Sequence, residues 1–231
     1  PADVLTSRAA LARAAGEPFD SARVELFGTL LAKLNATAFP DFPDPNALPS
    51  SFLTFAFFES YFSNYIEGTV FELEEARRIV ETGVSLPSRD ADSHDILGTF
   101  AIASNRAEMS RTAKDADDFL DILRARHRVI MSGRPSIRPG MFKTHDNRAG
   151  ETHFVHVDCV RGTLKKGFDM ARALRHPFAR ALFMLFMTSE VHPFEDGNGR
   201  ISRLMMNAEL VSSGQAKILV PTVFRPDYIG V

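Results

Sequence analysis

"FARALFMLFMTSEV" (residues 178–191), "HPFEDGNG" (192–199) and "RISRLMMNAELV" (200–211) follow one another without interruption, and their reading decides the fold. The first stretch is apolar nearly all round, which predicts a central, buried helix rather than an amphipathic surface one. Pro193 cannot continue that helix, because it has no backbone N–H and its ring crowds the preceding turn. The third stretch resumes helical periodicity and sets Arg200 and Arg203 three residues apart, hence on one face. The polar stretch between them is therefore a loop from the end of one helix to the start of the next.

Such a loop favours an anion. The first turn of a helix carries free N–H groups and a positive dipole end, and Gly197 and Gly199 let an anion approach the backbone without a Cβ in the way. Arg200 and Arg203 add two guanidinium groups suited to bidentate phosphate contacts, so the pocket fits a polyphosphate. Asp196 offers a hard oxygen ligand, and Mg²⁺ in phosphate sites is commonly held by one or two carboxylates plus the phosphates. His192, with an ordinary pKa of about 6.5, is mostly neutral at pH 7 and able to take a proton from an attacking hydroxyl. Phe194, apolar among polar neighbours, is expected to plug into the core and pin the loop. A plain turn between helices does not need a histidine, a carboxylate, an amide and two arginines converging on one helix start.

Composition sets the frame for this site. The chain has 231 residues, 45% of them hydrophobic with 20 Phe, enough for one sizeable core. Its formal net charge of −2, from 27 Lys+Arg against 29 Asp+Glu, argues for no direct nucleic-acid partner. Cys159 is the single cysteine, which excludes an intrachain disulfide and a cysteine-rich zinc cage and fits a reducing, cytoplasmic setting. The most apolar stretch, "NALPSSFLTFAFF" (46–58), contains a proline and stops well short of the roughly 20 residues of a membrane span. The chain opens on Pro1 with no cationic head before an apolar run, so it reads as a trimmed fragment with no signal peptide. Its end, "RPDYIGV", reads as a helix just beginning, with a further domain beyond.

The remainder is predicted to be helical with one exception. "DSARVELFGTLLAKLNA" repeats apolar residues at three-and-four spacing behind a capping Asp20 or Ser21. "FPDFPDPNALP" breaks the pattern and separates a helical extension, residues 1–50, from a domain over 51–231. A second helix is expected from Ser51 to Ile66, closed by Gly68 as a C-terminal glycine cap. "TVFE" (69–72) is a capping-box pattern that would start the next helix at Thr69. "SHDILGTFAIASNRAEM" and "ADDFLDILRARHRVIM" read as two scaffold helices, with the arginine-rich Arg124–Arg128 on a solvated face, as is the pair Arg77 and Arg78. "MFKTHDNRAGETHFVHVDCV" alternates β-branched and aromatic residues after a turn-rich centre, which predicts a β-hairpin near 141–158. His153 and His156, an odd number apart in such a strand, would point to opposite faces and not share a metal with His145 and His192. Cys159 is expected to be packed rather than nucleophilic, and the Phe-rich run 52–62 to be core.

Residues 192–203 match the Fic family signature HPFx[D/E]GNGRxxR without departure, and the helices and upstream hairpin resemble that family from about Ser51 onward. The resemblance implies an all-α Fic fold, a helical bundle with a small β-hairpin flap over the active site. It implies transfer of AMP from ATP to a Ser, Thr or Tyr hydroxyl of a target protein, with release of pyrophosphate. By position, His192 would be the general base and Asp196 would hold Mg²⁺ between the α- and β-phosphates. Gly197, Asn198 and Gly199 would form the anion nest, and Arg200 and Arg203 would bind the β- and γ-phosphates. The flap tip, Ala149, Gly150, Glu151 and Thr152, would border the nucleotide and clamp the target backbone.

"SNYIEG" (63–68) is similar to the family's inhibitory-helix pattern [S/T]xxxE[G/N], in which the glutamate pairs with the second arginine of the motif. Ser63 and Glu67 lie four apart, on one helix face, and could reach a common partner; with Gly68 they would form a regulatory element. The reading is of an autoinhibited protein adenylyltransferase. Its alternatives are a Fic enzyme that removes AMP with Glu67 positioning water, and a nucleotide-binding regulatory module with little turnover. A kinase-type member is argued against by Arg200, since those members depart from the motif at its arginine end. A homo-oligomer is compatible with the sequence, and no membrane partner is expected.

Overall fold

Three of the long helices start where a polar side chain takes over an unpaired backbone N–H. Asp20 accepts from the Arg23 amide at 3.1 Å and begins α2 (Ser21–Ala36). Asp115 accepts from the Asp118 amide at 2.9 Å and begins α7 (Ala116–Ile130). His176 accepts from the Phe178 amide and begins α9 (Pro177–Val191), whose Pro177 stands at a first-turn position that has no intrahelical acceptor for an N–H. The computed structural model of the chain describes residues 7–46 and 48–229. Its other elements are α1 (Arg8–Ala14), α3 (Pro49–Ile66), α4 (Leu73–Thr82), α5 (Asp90–Ala103), α6 (Arg106–Met109), β1 (Arg148–Ala149), β2 (Thr152–His153), α8 (Val160–Arg172), α10 (Asn198–Ser212) and α11 (Arg225–Ile229).

The most extensive packing is between α9 and α10, the pair joined by the loop 192–197. Around it, α8 and α2 lie against α9, and α7 lies against α8, α5 and α10. Ala179, Phe183, Met187 and Val191 of α9 are all buried, as expected for a central helix. Burying each of the larger three, Phe183, Met187 and Val191, contributes about 1.5–3 kcal/mol, so this pair is the rigid floor of whatever its loop does. A second apolar cluster of Phe57, Phe71, Ala76, Ile79 and Ile96 binds α3, α4 and α5 together. It fixes α3 beside the start of α10.

The first long helix, α2, is part of the main core. Phe27 of α2 is fully buried and meets Phe183 edge to face, with ring centroids 5.9 Å apart. The proline-rich stretch is bonded to the loop after α10: the Ala216 amide donates to the Phe42 carbonyl at 2.7 Å and the Asp44 amide to that of Gly214 at 2.9 Å.

Five local expectations are corrected. Helix α4 begins at Leu73 with Glu72 as its cap residue and no side-chain cap, so the Thr69 capping box does not form. The Thr69 amide is used instead to close α3: it donates to the Asn64 carbonyl while the Gly68 amide donates to that of Tyr65. That pair is a Schellman motif, and Gly68 supplies its left-handed residue at φ 93°. The hairpin is shorter than the alternation suggests, with two-residue strands in register Arg148↔His153 and Ala149↔Thr152. "VDC" (157–159) forms a 3₁₀ turn leading into α8, because Val155, Cys159 and Val160 bury one side at helical rather than alternating spacing. The stretch 94–109 is broken after Ala103, where Asn105 caps the short α6. Finally, Arg126 and His127 are buried, not solvated.

Helix α11 covers Arg225–Ile229, while Pro1, Gly230 and Val231 lie outside the described residues. Among the described residues no helix is long and apolar enough to cross a membrane.

Candidate active site

Helix α9 ends at Val191, and His192 turns the chain in the left-handed region at φ 50°, ψ 60°. For a non-glycine residue this costs about 1–2 kcal/mol, sustained here because the neighbours are locked. Phe194 is fully buried, and Asn198 clasps it with two bonds: its Oδ1 accepts from the Phe194 amide and its Nδ2 donates to the Phe194 carbonyl, both at 2.9 Å. The Asn198 side chain therefore shapes the nest from behind rather than lining it. Gly197 has φ 76°, and a Cβ there would lie 2.6 Å from Met131 Sδ, so a side chain here is strained and requires Met131 to move. Helix α10 follows with no side-chain cap, which leaves its first-turn amides facing the site.

The surroundings of His192 fix its tautomer. Its Nδ1 lies 3.3 Å from the Ser189 carbonyl oxygen, and a carbonyl only accepts, so Nδ1 carries the proton and Nε2 presents the lone pair. Phe154, just past β2, stacks on the ring at 3.8 Å between centroids and 9° between planes. Burial pushes the His192 pKa down to about 4; the hydrogen bond to Ser189 opposes this and the nearby Lys143 reinforces it. Lys143 is itself buried and pushed down to about 8 by desolvation. Its Nζ donates to Asn147 Oδ1 at 2.6 Å, and Asn147 Nδ2 donates to the Phe194 carbonyl at 3.0 Å. The Lys143 amide donates to the Pro193 carbonyl, so the segment leading into the flap is stitched to the loop.

The two arginines are not equivalent. Arg203 donates through Nε to Ser63 Oγ at 3.0 Å, and through Nη2 to the Ser63 carbonyl at 2.9 Å and to Glu67 Oε1 at 2.7 Å. Ser63 and Glu67 thus meet on one partner, as their spacing predicts. Arg200 is 3% exposed; it pairs with Asp95 Oδ2 at 2.6 Å and reaches Asp196 Oδ1 at 3.5 Å. Asn64 Oδ1 accepts from the same guanidinium at 3.3 Å. Asp95, with no exposed surface, also accepts three bonds from Arg134. Arg200 Nε has no partner among the described residues.

The Glu67 carboxylate lies against the start of α10. A Cβ on Gly199 would come within 2.1 Å of Glu67 Oε1, so an anion entering the nest above Gly199 meets an anion already there. Asp196 is half-exposed, its Oδ1 accepting from the Gly197 amide at 2.5 Å. Among the described residues no group of three His, Cys, Asp or Glu could hold a metal alone. A single carboxylate fits Mg²⁺ shared with phosphate oxygens, and fits zinc poorly. The flap tip, Ala149, Gly150, Glu151 and Thr152, is exposed, and Arg23 Nη2 of α2 props the flap by donating to the His153 carbonyl at 2.8 Å.

Sequence reasoning missed His127, Asp95, Asn64, Lys143 and Phe154. The His127 ring lies flat on Phe194, 3.6 Å between centroids and 3° between planes. Burial holds its pKa down to about 4, against the raising effect of its hydrogen bond to the Asp196 backbone. A signal was present: His127 falls four residues after Leu123 and three before Ile130, in phase with the buried face of α7.

The class defined by this arrangement is a helical protein with uncapped backbone amides at a central helix start, a buried histidine beside them and a two-stranded hairpin nearby. Residues 117–210 match the model of the Fic/DOC family, so the chain carries a Fic/DOC domain over that stretch. It is 27% identical over 173 residues to a protein adenylyltransferase, fic-1, of Caenorhabditis elegans, across 73% of this chain and 34% of that protein. It is 30% identical over 178 residues to a protein adenylyltransferase, Fic, of Drosophila persimilis, again across 73% and 34%. The chain thus spans about a third of the length of these relatives. A Fic-domain signaling protein from Bacteroides thetaiotaomicron superposes with a TM-score of 0.65 at 18% identity, covering 90% of this chain and 79% of that one. Fic-1 from C. elegans gives 0.62 at 21% identity, covering 90% and 62%. These structures share the fold, an all-helical body with a two-stranded hairpin.

Proposed function

We propose that this chain is a protein adenylyltransferase held shut by its own helix α3. His192 Nε2 takes the proton from a Ser, Thr or Tyr hydroxyl of a target protein, and that oxygen attacks the α-phosphorus of ATP. The bond from the α-phosphorus to the bridging oxygen breaks, pyrophosphate leaves, and the target keeps AMP. Asp196 would hold Mg²⁺, which when bound neutralises charge on the phosphate oxygens. The amides at Gly197, Asn198 and Gly199 and the Arg203 guanidinium cradle the phosphates, and Arg200 braces the loop. The tip residues Ala149–Thr152 border the nucleotide and receive the target backbone. Cys159 is the single cysteine and so has no disulfide partner within the chain, in keeping with a cytoplasmic setting.

The observation that carries this reading is the Glu67 carboxylate, bonded to Arg203 and seated over Gly199 where a phosphate belongs. The relatives named protein adenylyltransferase support the reaction class. The test is intact-mass measurement of purified protein incubated with ATP and Mg²⁺. Glu67→Gly should gain mass equal to an adenylyl group by self-modification and His192→Ala in that background should gain none; a Glu67→Gly protein that binds ATP and gains none refutes the reading. Removal of AMP is the second reading, favoured by the field of Glu67 on His192, which raises the histidine's proton affinity and suits activation of a water. It predicts that wild type strips AMP from a modified target and Glu67→Gly does not.

A further inference from the structure

The His127 ring reaches two segments that sequence separates by more than fifty residues. Its Nδ1 lies 2.9 Å from the Gly140 amide, and an amide nitrogen only donates, so Nδ1 accepts. In a neutral ring the proton is then on Nε2, which lies 2.9 Å from the Asp196 carbonyl and donates to it. The ring has no exposed surface and its face is covered by Phe194, so no water can replace either bond. Gly140 sits at the base of the flap at φ 79°, packed against Arg124 and Arg128 of α7. One side of the ring therefore fixes the flap base, the other fixes the residue whose carboxylate faces the phosphate site, and its face fixes the Phe194 anchor.

We infer that His127 is the positioning residue of this site, a two-ended clamp in its Nε2-protonated form that sets the anion loop at Asp196 against the flap base at Gly140. The clamp rests on the nucleotide-transfer reading only for what the loop is used for. The ring itself touches no reacting group. It acts by holding the Asp196 backbone, and with it the direction of the Asp196 carboxylate and the Gly197 amide, while the flap base stays in register with the same loop. Two conservative variants separate its ends. In His127→Asn the amide oxygen takes the place of Nδ1 and can still accept from Gly140, but nothing reaches Asp196. In His127→Gln the amide nitrogen takes the place of Nε2 and can still donate to Asp196, but nothing accepts from Gly140.

The experiment is backbone hydrogen exchange by mass spectrometry on the full chain, with ATP binding in Mg²⁺ measured by calorimetry, both in the Glu67→Gly background. His127→Asn should speed exchange across 194–197, spare Gly140 and weaken ATP binding about fivefold to tenfold, the worth of one net hydrogen bond. His127→Gln should speed exchange at Gly140, spare 194–197 and hold affinity within about twofold. The same exchange profile in both variants, or wild-type behaviour in both, overturns the clamp. Should neither variant fold, the nitrogen NMR signature of His127 in the unaltered protein decides: protonation at Nε2 supports the clamp and protonation at Nδ1 overturns it. Neither readout requires turnover, so absence of AMP transfer in the Glu67→Gly parent, with these binding and exchange patterns intact, would refute the function and leave the clamp standing.

Discussion

Replacing Glu67 by Gln should raise the affinity for ATP while lowering the stability of the free protein. The carboxylate makes one charge-assisted bond, Oε1 to Arg203 Nη2 at 2.7 Å, with 6% of the arginine side chain and 29% of the glutamate side chain exposed. Bonds to charged groups are worth about 1.5–3 kcal/mol when buried, and partial exposure of Glu67 places this one near the lower end. A phosphate must displace that bond before it can reach Arg203, so removing the charge should strengthen ATP binding about tenfold. The same loss should cost the unliganded protein about 1 kcal/mol, because Arg203 keeps both of its Ser63 bonds. Calorimetric titration with ATP and urea unfolding read the two effects separately. A double-mutant cycle with Arg203→Met isolates the coupling, since Glu67→Gln should then change affinity little. Unchanged or weaker ATP binding by Glu67→Gln, with the fold intact, would refute the competition.

Other perturbations bear on separate parts of the site. Gly199→Ala should push the Glu67 side chain out of the nest, since the new methyl would stand 2.1 Å from Oε1, and should raise self-modification over wild type without altering any charged residue; mass measurement checks it. Asp95→Asn should destabilise the protein by about 3–5 kcal/mol in urea unfolding, because it leaves Arg200 buried with no carboxylate of α5 to pair with. The rate of transfer by Glu67→Gly should stay flat as pH falls from 8 to 6 and decline only near pH 4, because His192 ionises at about 4; a midpoint near the ordinary 6.5 would contradict its burial. Stability should follow the same group: the folded His192 pKa lies below the unfolded one, so the unfolded chain binds more protons between about 6.5 and 4. Its contribution is complete above about pH 6.5, is lost as pH falls toward 4 and amounts to about 3 kcal/mol at the limit, which pH-dependent unfolding of wild type against His192→Ala would show.

The parts of this molecule that are local in sequence were legible in it. The loop 192–200 carries base, carboxylate and glycines within nine residues, and the spacing of Ser63 and Glu67 places them on one face, so their chemistry can be read from order alone. The hairpin is shorter than its sequence suggests because Val155, Val157 and Cys159 look like alternation, while burial selects 155, 159 and 160. Thr69 illustrates a competition that order does not show: its amide was needed to close α3 around Gly68, so it could not begin α4. The partners that hold the site were hidden for a different reason. Asp95, Asn64 and Lys143 come from α5, α3 and the approach to the flap, and only tertiary packing brings them to Arg200 and His192. His127 stood within an arginine-rich run whose charge masked its helical phase, although that phase placed it on the buried face of α7.

The central claim is that this nest transfers the adenylyl group of ATP and that Glu67 keeps it closed. Parallel incubations of wild type and Glu67→Gly with ATP labelled at the α-phosphorus or at the γ-phosphorus test it most directly. The account predicts that label enters protein from the α position alone, that pyrophosphate is released, and that Glu67→Gly incorporates far more than wild type. Label entering from the γ position, or equal incorporation by the two proteins, would contradict it.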